Sequence, residues 1–173
     1  MHCIILADDK PQFPPVLLPI KGRAVMDYLL DDALKQKEVD QVTIITSSQS
    51  LPLITKHITN AFPGKVIEVV EGKSIEYVAV PGQDVMVLRG TIFTSLKLQD
   101  FIRYFNQFKT ITKAAHDKLN PKEIPFLIIP NTYQGDIGHL PEAVETHIYN
   151  CGSGYCYDLG TNQGYENAKN SVL

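Results

Sequence analysis

The feature that most narrows what this chain can fold into is an alternation in its first half. Runs that are apolar throughout are separated by runs that are apolar on one face only. "CIILA" (residues 3–7) reads as a strand buried on both faces. The next period, 24–37, places Val25, Met26, Leu29, Leu30, Ala33 and Leu34 at helical spacing. Asp31, Asp32, Lys35 and Lys37 take the opposite face. "QVTIIT" (41–46) is the second strand. Residues 50–62 form the next helix, with Ser50 as N-cap, Pro52 in the first turn, and Leu51, Ile54, Ile58 and Ala61 as its stripe. "KVIEVV" (65–70), a short helix near 73–79 and "DVMVLRG" (84–90) complete the alternation. A strand with no polar side needs cover on both faces, so the pattern predicts a three-layer α/β/α domain around a mainly parallel sheet. Residues 3–7, 42–46, 66–70 and 84–89 are expected as neighbouring parallel strands. Ligands of such sheets bind beyond the carboxyl ends of the strands, here in the loops after Ala7, Thr46 and Leu88.

The second half is less periodic. Leu98, Phe101, Ile102, Phe105 and Phe108 define a helix over 97–108. "IPFLIIP" (124–130) is apolar but fenced by Pro125 and Pro130, which predicts an edge strand or a short core segment. A strand near 146–150, the strand "YCYDLG" and a helix from about 162 follow. No repeat or linker interrupts the 173 residues, so a single domain over 1–173 is expected.

Composition excludes several classes. With 44% hydrophobic and 20% charged residues the chain has enough apolar surface to fold. A net charge of -3 and scattered lysines and arginines argue against nucleic acid as a partner. No apolar run reaches the ~18–20 residues of a membrane span, so no membrane partner is expected. The opening strand lacks the basic segment of a signal peptide, which points to a cytoplasmic protein. Cys151 and Cys156 have no second pair nearby, so zinc is not expected, and Cys3 reads as a buried thiol. No "G-x-S-x-G" occurs, and the histidines have no metal spacing. A homo-oligomer stays open.

Three segments, in order, resemble sugar-1-phosphate nucleotidylyltransferases. "VLLPIKGRAVMDYLLDDALKQKEVDQVTIIT" is similar to the stretch after their signature loop, with its "LLPV.GKP", a helix and "D.I.IVT". "DVMVLRGTIFTSLKLQDFIRYF" resembles their "D.LVL.GD.LTDLDL..LL.FH", and "GSGYCYDLGTNQGYENAK" their closing "GYW.DIGTPEDY..AN". The resemblance implies a Rossmann-like nucleotidyltransferase fold, in a chain short for the family. It implies a reaction in which a sugar phosphate oxygen attacks the α-phosphorus of a nucleoside triphosphate and pyrophosphate leaves. Positioning and cationic stabilisation carry such chemistry. The parts implied are a glycine-rich loop, an arginine and a lysine after it, and two aspartates holding Mg²⁺.

Carried over by position, the ligand-binding residues are Leu6, Ala7, Asp8, Asp9, Gly72, Gly90 and Thr91, and the metal residue is Asp158. The departures are chemical. Asp8 and Asp9 stand where glycines approach a triphosphate, and their carboxylates repel one. Pro15 replaces the lysine, and Thr91 replaces the first metal aspartate. Gly72 in "EGKSIEYVA" keeps a glycine turn, but without the upstream glycine of a P-loop. "GDIGH" (135–139), with Asp136 and His139, reads as an exposed loop.

Two functions follow from the resemblance. One is a nucleotidyltransferase-fold protein that binds a nucleotide, a sugar phosphate or nucleotide-sugar ligand, or a partner, with catalysis weak or lost. The alternative is an active Mg²⁺-dependent NTP:sugar-1-phosphate nucleotidylyltransferase that uses Asp8 or Asp9 with Asp158 around the metal. Simultaneous loss of several charge-stabilising groups favours the first.

Overall fold

The computed structural model describes residues 1–7, 13–72, 75, 78–117, 126–137, 139–142, 144–152 and 154–171. Its first half is β1 (His2–Leu6), the short pair β2 (Pro19–Ile20) and β3 (Arg23–Ala24), α1 (Val25–Lys35), β4 (Gln41–Thr46), α2 (Leu51–Ala61) and β5 (Ile67–Glu71). Then come β6 (Val85–Arg89), β7 (Ile92–Thr94), α3 (Leu98–Phe108), β8 (Ile111–Ala115), β9 (Phe126–Ile129), β10 (Thr146–Asn150), β11 (Cys156–Asp158) and α4 (Asn162–Ser171).

Seven strands form one sheet in the order β10-β8-β9-β6-β1-β4-β5. As the apolar runs predict, β6, β1, β4 and β5 are neighbours and all parallel. β1 lies inside the sheet between β6 and β4, and Cys3, Ile4 and Ile5 are each fully buried although they alternate between faces. Cys3 and Ile5 share a core with Met26 and Leu30 of α1, Ile54 of α2 and Phe101 of α3. Ile4 packs instead with Ile45, Val85 and Val87, covered by Ile75, Val78 and Ala79. The steps β1 to β4 and β4 to β5 run in one direction, so two right-handed crossovers place α1 and α2 on the same face. The chain returns from β5 to β6 in the opposite direction, and Ile75, Val78 and Ala79 pack on the other face. Part of the short helix expected near 73–79 (residues 73, 74, 76 and 77) lies outside the described residues.

Of the two readings of the apolar run fenced by prolines, the core segment holds and the edge strand does not. β9 lies between β6 and β8, antiparallel to both, and Phe126, Ile128 and Ile129 are buried. Pro130 follows the last strand residue, so the ladder loses no donor within the strand. β8, whose lysine obscures its alternation, is not visible in the sequence pattern. Neither is the β2–β3 hairpin, closed by Lys21 and Gly22 at φ 49° and 78°. Two successive left-handed residues make the type of turn that suits strand twist.

Candidate functional site

Four parallel strands end on the same side, and their last residues are tied together by the backbone. The Leu6 carbonyl accepts the Gly90 N–H at 2.8 Å, the Ala7 N–H donates to the Ile45 carbonyl at 2.9 Å, and the Gly72 N–H donates to the Thr46 carbonyl at 3.2 Å. Leu6, Ala7, Gly72 and Gly90 therefore meet at the carboxyl end of the sheet, where the sequence places them.

Gly90 is there for space. A Cβ on it would stand 2.8 Å from Val16 Cγ1, 3.0 Å from the Leu6 carbonyl oxygen and 3.1 Å from Ile5 Cγ2. Val16 and Pro15 belong to a 3₁₀ turn (Pro15–Leu17), and both are buried. At the position of the family's lysine the chain thus inserts a proline into an apolar plug. Thr91, where a metal aspartate is implied, is fully buried, and its carbonyl accepts the Leu159 N–H at 2.9 Å.

Asp158 reaches this place from the far end of the chain. β11 pairs antiparallel with β7, with Asp158 opposite Ile92. Phe93 anchors the pair, stacked on Tyr155 at 4.9 Å and edge-on to Tyr28 at 5.3 Å between ring centres. Its carboxylate is engaged on both oxygens. Oδ1 accepts the Gly160 N–H at 2.8 Å, and Oδ2 lies 3.1 Å from Nη2 of Arg89 at the end of β6. Both side chains of this ion pair are partly buried, which shields it from solvent screening more than a surface pair. Thr161 locks the same turn: its hydroxyl donates to the Asp158 carbonyl at 3.0 Å and accepts the Gly164 N–H at 3.0 Å, which caps α4.

Among the described residues, the donors around Asp158 do not make up a Mg²⁺ set, which needs several oxygens and carboxylate charge at short range. Around Asp158 the positive charge is supplied by a guanidinium, and Thr91 adds no charge. Among the described residues, no three His, Cys, Asp or Glu side chains converge as a metal centre would. Asp8 and Asp9 lie outside the described residues, as do Lys10, Lys73 and Ser74.

Sequence reasoning missed Arg89. Its signal is a single charge ending an otherwise apolar strand, "VMVLR". Asp136 and His139 are exposed and lie in a loop, as the sequence predicts. Asp136 accepts the His139 N–H at 3.2 Å and lines a cleft of about 290 Å³ with Gln83 and Tyr133. That cleft is at the other end of the sheet, beside the first residue of β6. Cys3 and Cys151 do not suit a nucleophile's role: burial pushes the Cys3 thiol up to about 12, and burial with the nearby Cys156 pushes Cys151 up to about 12.

No protein-family model matches the chain, and no curated protein matches its sequence. Solved structures do match its fold. One is a Bacillus anthracis protein assigned as a glucose-1-phosphate thymidylyltransferase, solved with sucrose, with a TM-score of 0.75 at 14% identity over 99% of this chain and 94% of that one. Another is 4-diphosphocytidyl-2C-methyl-D-erythritol synthase from Anaerococcus prevotii, with a TM-score of 0.71 at 14% identity over 99% and 97%. A third is a UDP-glucose pyrophosphorylase solved with UDP-glucose, with a TM-score of 0.68 at 13% identity over 98% and 97%. The fold is that of the sugar-phosphate nucleotidylyltransferases, and at such identities the likeness speaks for the fold alone. Among the described residues, no helix is long and apolar enough to cross a membrane.

Proposed function

We propose that this protein binds a nucleotide or nucleotide-sugar ligand at the carboxyl end of its sheet, with nucleotidyl transfer weak or lost. The observation that carries the reading is the Arg89–Asp158 ion pair, which commits the one aspartate carried over from the family's metal pair to a protein cation. Buried Pro15 and Thr91 point the same way, because neither supplies charge to a developing phosphoryl transition state. Support for the ligand class comes from the fold neighbour solved with UDP-glucose and from the convergence of Ala7, Gly72 and Gly90 at the strand ends.

Two measurements test it. Calorimetry with nucleosides, nucleoside diphosphates and UDP-glucose is expected to show saturable binding to at least one of them. Pyrophosphate release is expected to stay far below about one turnover per second, near the low end of ordinary enzymes, with Mg²⁺, the common nucleoside triphosphates and a panel of sugar 1-phosphates. Sustained turnover at that rate overturns the weak-catalysis reading. No binding of any of these compounds overturns the ligand reading.

A further inference from the structure

We infer that Arg89 stands in for the divalent cation: a diphosphate-bearing ligand is received by its guanidinium, held in place by Asp158, and binds without metal. The inference rests on the nucleotide reading above and names the group that reads the phosphate.

The argument starts from charge. A diphosphate brought to a strand end needs a cation, and a metal there needs carboxylates with open oxygens. Each oxygen of Asp158 already has a donor, the Gly160 N–H at 2.8 Å on Oδ1 and Arg89 Nη2 at 3.1 Å on Oδ2, so its charge is balanced within the chain. Thr91, two residues after β6, is buried and uncharged, and among the described residues no cluster of three His, Cys, Asp or Glu side chains forms around Asp158. The cation present on β6 is covalently part of the chain, one residue before the Gly90 turn that closes against Leu6.

The geometry suits phosphate better than metal. A guanidinium is planar and matches two phosphate oxygens at once with a pair of parallel N–H bonds. Asp158 Oδ2 lies 3.1 Å from one terminal nitrogen, Nη2, and helps orient the fork. It is in turn held by the Gly160 turn and by Thr161, whose hydroxyl bonds the Asp158 carbonyl. Partial burial of both side chains lowers the local dielectric, which strengthens a phosphate contact. The inference requires only that a phosphate compete for the fork with the acceptors it already has. Asp158 is then a positioning residue, and its negative charge opposes the ligand.

That opposition gives signs that a metal site would reverse. Binding of UDP, GDP, CDP, ADP and dTDP is measured by calorimetry, in EDTA and in Mg²⁺, for wild type, Arg89→Gln and Asp158→Asn, with thermal melts confirming that each variant is folded. Asparagine keeps the oxygen that accepts the Gly160 N–H. Wild type is expected to bind at least one diphosphate in EDTA, and Mg²⁺ is expected to change that affinity less than about twofold. Arg89→Gln is expected to weaken binding by about tenfold or more, the usual cost of losing a charged hydrogen bond. Asp158→Asn is expected to bind at least as tightly as wild type. Wild-type binding that appears only with Mg²⁺, or an Arg89→Gln protein that binds as well as wild type, overturns the inference and leaves the nucleotide reading standing. A wild type that binds none of the five diphosphates overturns the inference. If it also binds no nucleoside and no UDP-glucose, the nucleotide reading falls with it. The metal arm uses wild type alone, so it decides even if a variant does not fold.

Discussion

Asp32, near the end of α1, accepts a hydrogen bond through Oδ2 at 2.9 Å from the backbone N–H of Leu98, the first residue of α3. Its Oδ1 accepts Gln36 Nε2 at 3.0 Å. The residue before α3, Lys97, provides no side-chain cap, so a carboxylate from another helix satisfies a donor that the helix start leaves open. The negative charge also lies at the positive end of the α3 dipole.

Asp32→Ala is therefore expected to lower unfolding stability by about 0.5–2 kcal/mol, the range for loss of an N-cap. Asp32→Asn retains an oxygen acceptor and should cost less. Urea unfolding of the three proteins followed by circular dichroism measures both values. Equal stability of wild type and Asp32→Ala would show that the contact carries no free energy.

At Gly90 the cost is steric. Gly90→Ala forces a Cβ against buried Val16 and the Leu6 carbonyl, and overpacking of this kind costs about 1–3 kcal/mol. Val16→Ala opens space at the nearest contact. The double substitution should then be less destabilised than the sum of the single ones. Strict additivity in a denaturant cycle would mean that Val16 does not restrict the Gly90 turn.

His2 is fully buried, with Nε2 2.8 Å from Thr43 Oγ1 and Nδ1 without a hydrogen-bond partner. Burial lowers its pKa below the ordinary 6.5, opposed by the attraction of Glu68 and helped by the N-terminal ammonium. The folded state thus binds fewer protons than the unfolded state once pH falls below 6.5. Its stability falls with pH through that window, down to the folded pKa. His2→Gln should flatten the fall in Tm between about pH 7.5 and about pH 5.5, whereas Glu68→Gln should steepen it. An unchanged slope in His2→Gln would remove His2 from the acid response.

The thiols make a further prediction. With its thiol pushed up to about 12 by burial, Cys3 is protonated at neutral pH, as is Cys151. At pH 8 only about one such thiol in ten thousand is a thiolate, the reactive form. Cys3 and Cys151 should be labelled slowly in the native protein and rapidly in denaturant, by mass spectrometry after iodoacetamide. Fast native labelling at Cys3 would show that β1 opens.

Much of the fold was legible because periodicity reports burial directly. "CIIL", "QVTIIT" and "VMVLR" are apolar on both pleats, and only the middle of a covered parallel sheet accepts such strands. α1 to α3 announce their buried stripes in the same way. That Asp8, Asp9, Pro15 and Thr91 stand where the resemblance implies glycine, lysine and carboxylate was also readable, since it is a matter of residue identity. Long-range pairing was not readable. Whether β9 was an edge strand or a core segment stayed open in the sequence, because its prolines are visible there and its two neighbours are not. Arg89 and Asp158 are separated by 69 positions, and neither local propensity nor spacing can bring them together. Only the antiparallel pairing of β11 on β7, anchored by Phe93 between Tyr28 and Tyr155, sets that carboxylate against that guanidinium. The sequence alone determined which residue types stand at the strand ends. The tertiary structure decided which charge stands there, because an ion pair depends on a distance in space that no one-dimensional pattern encodes.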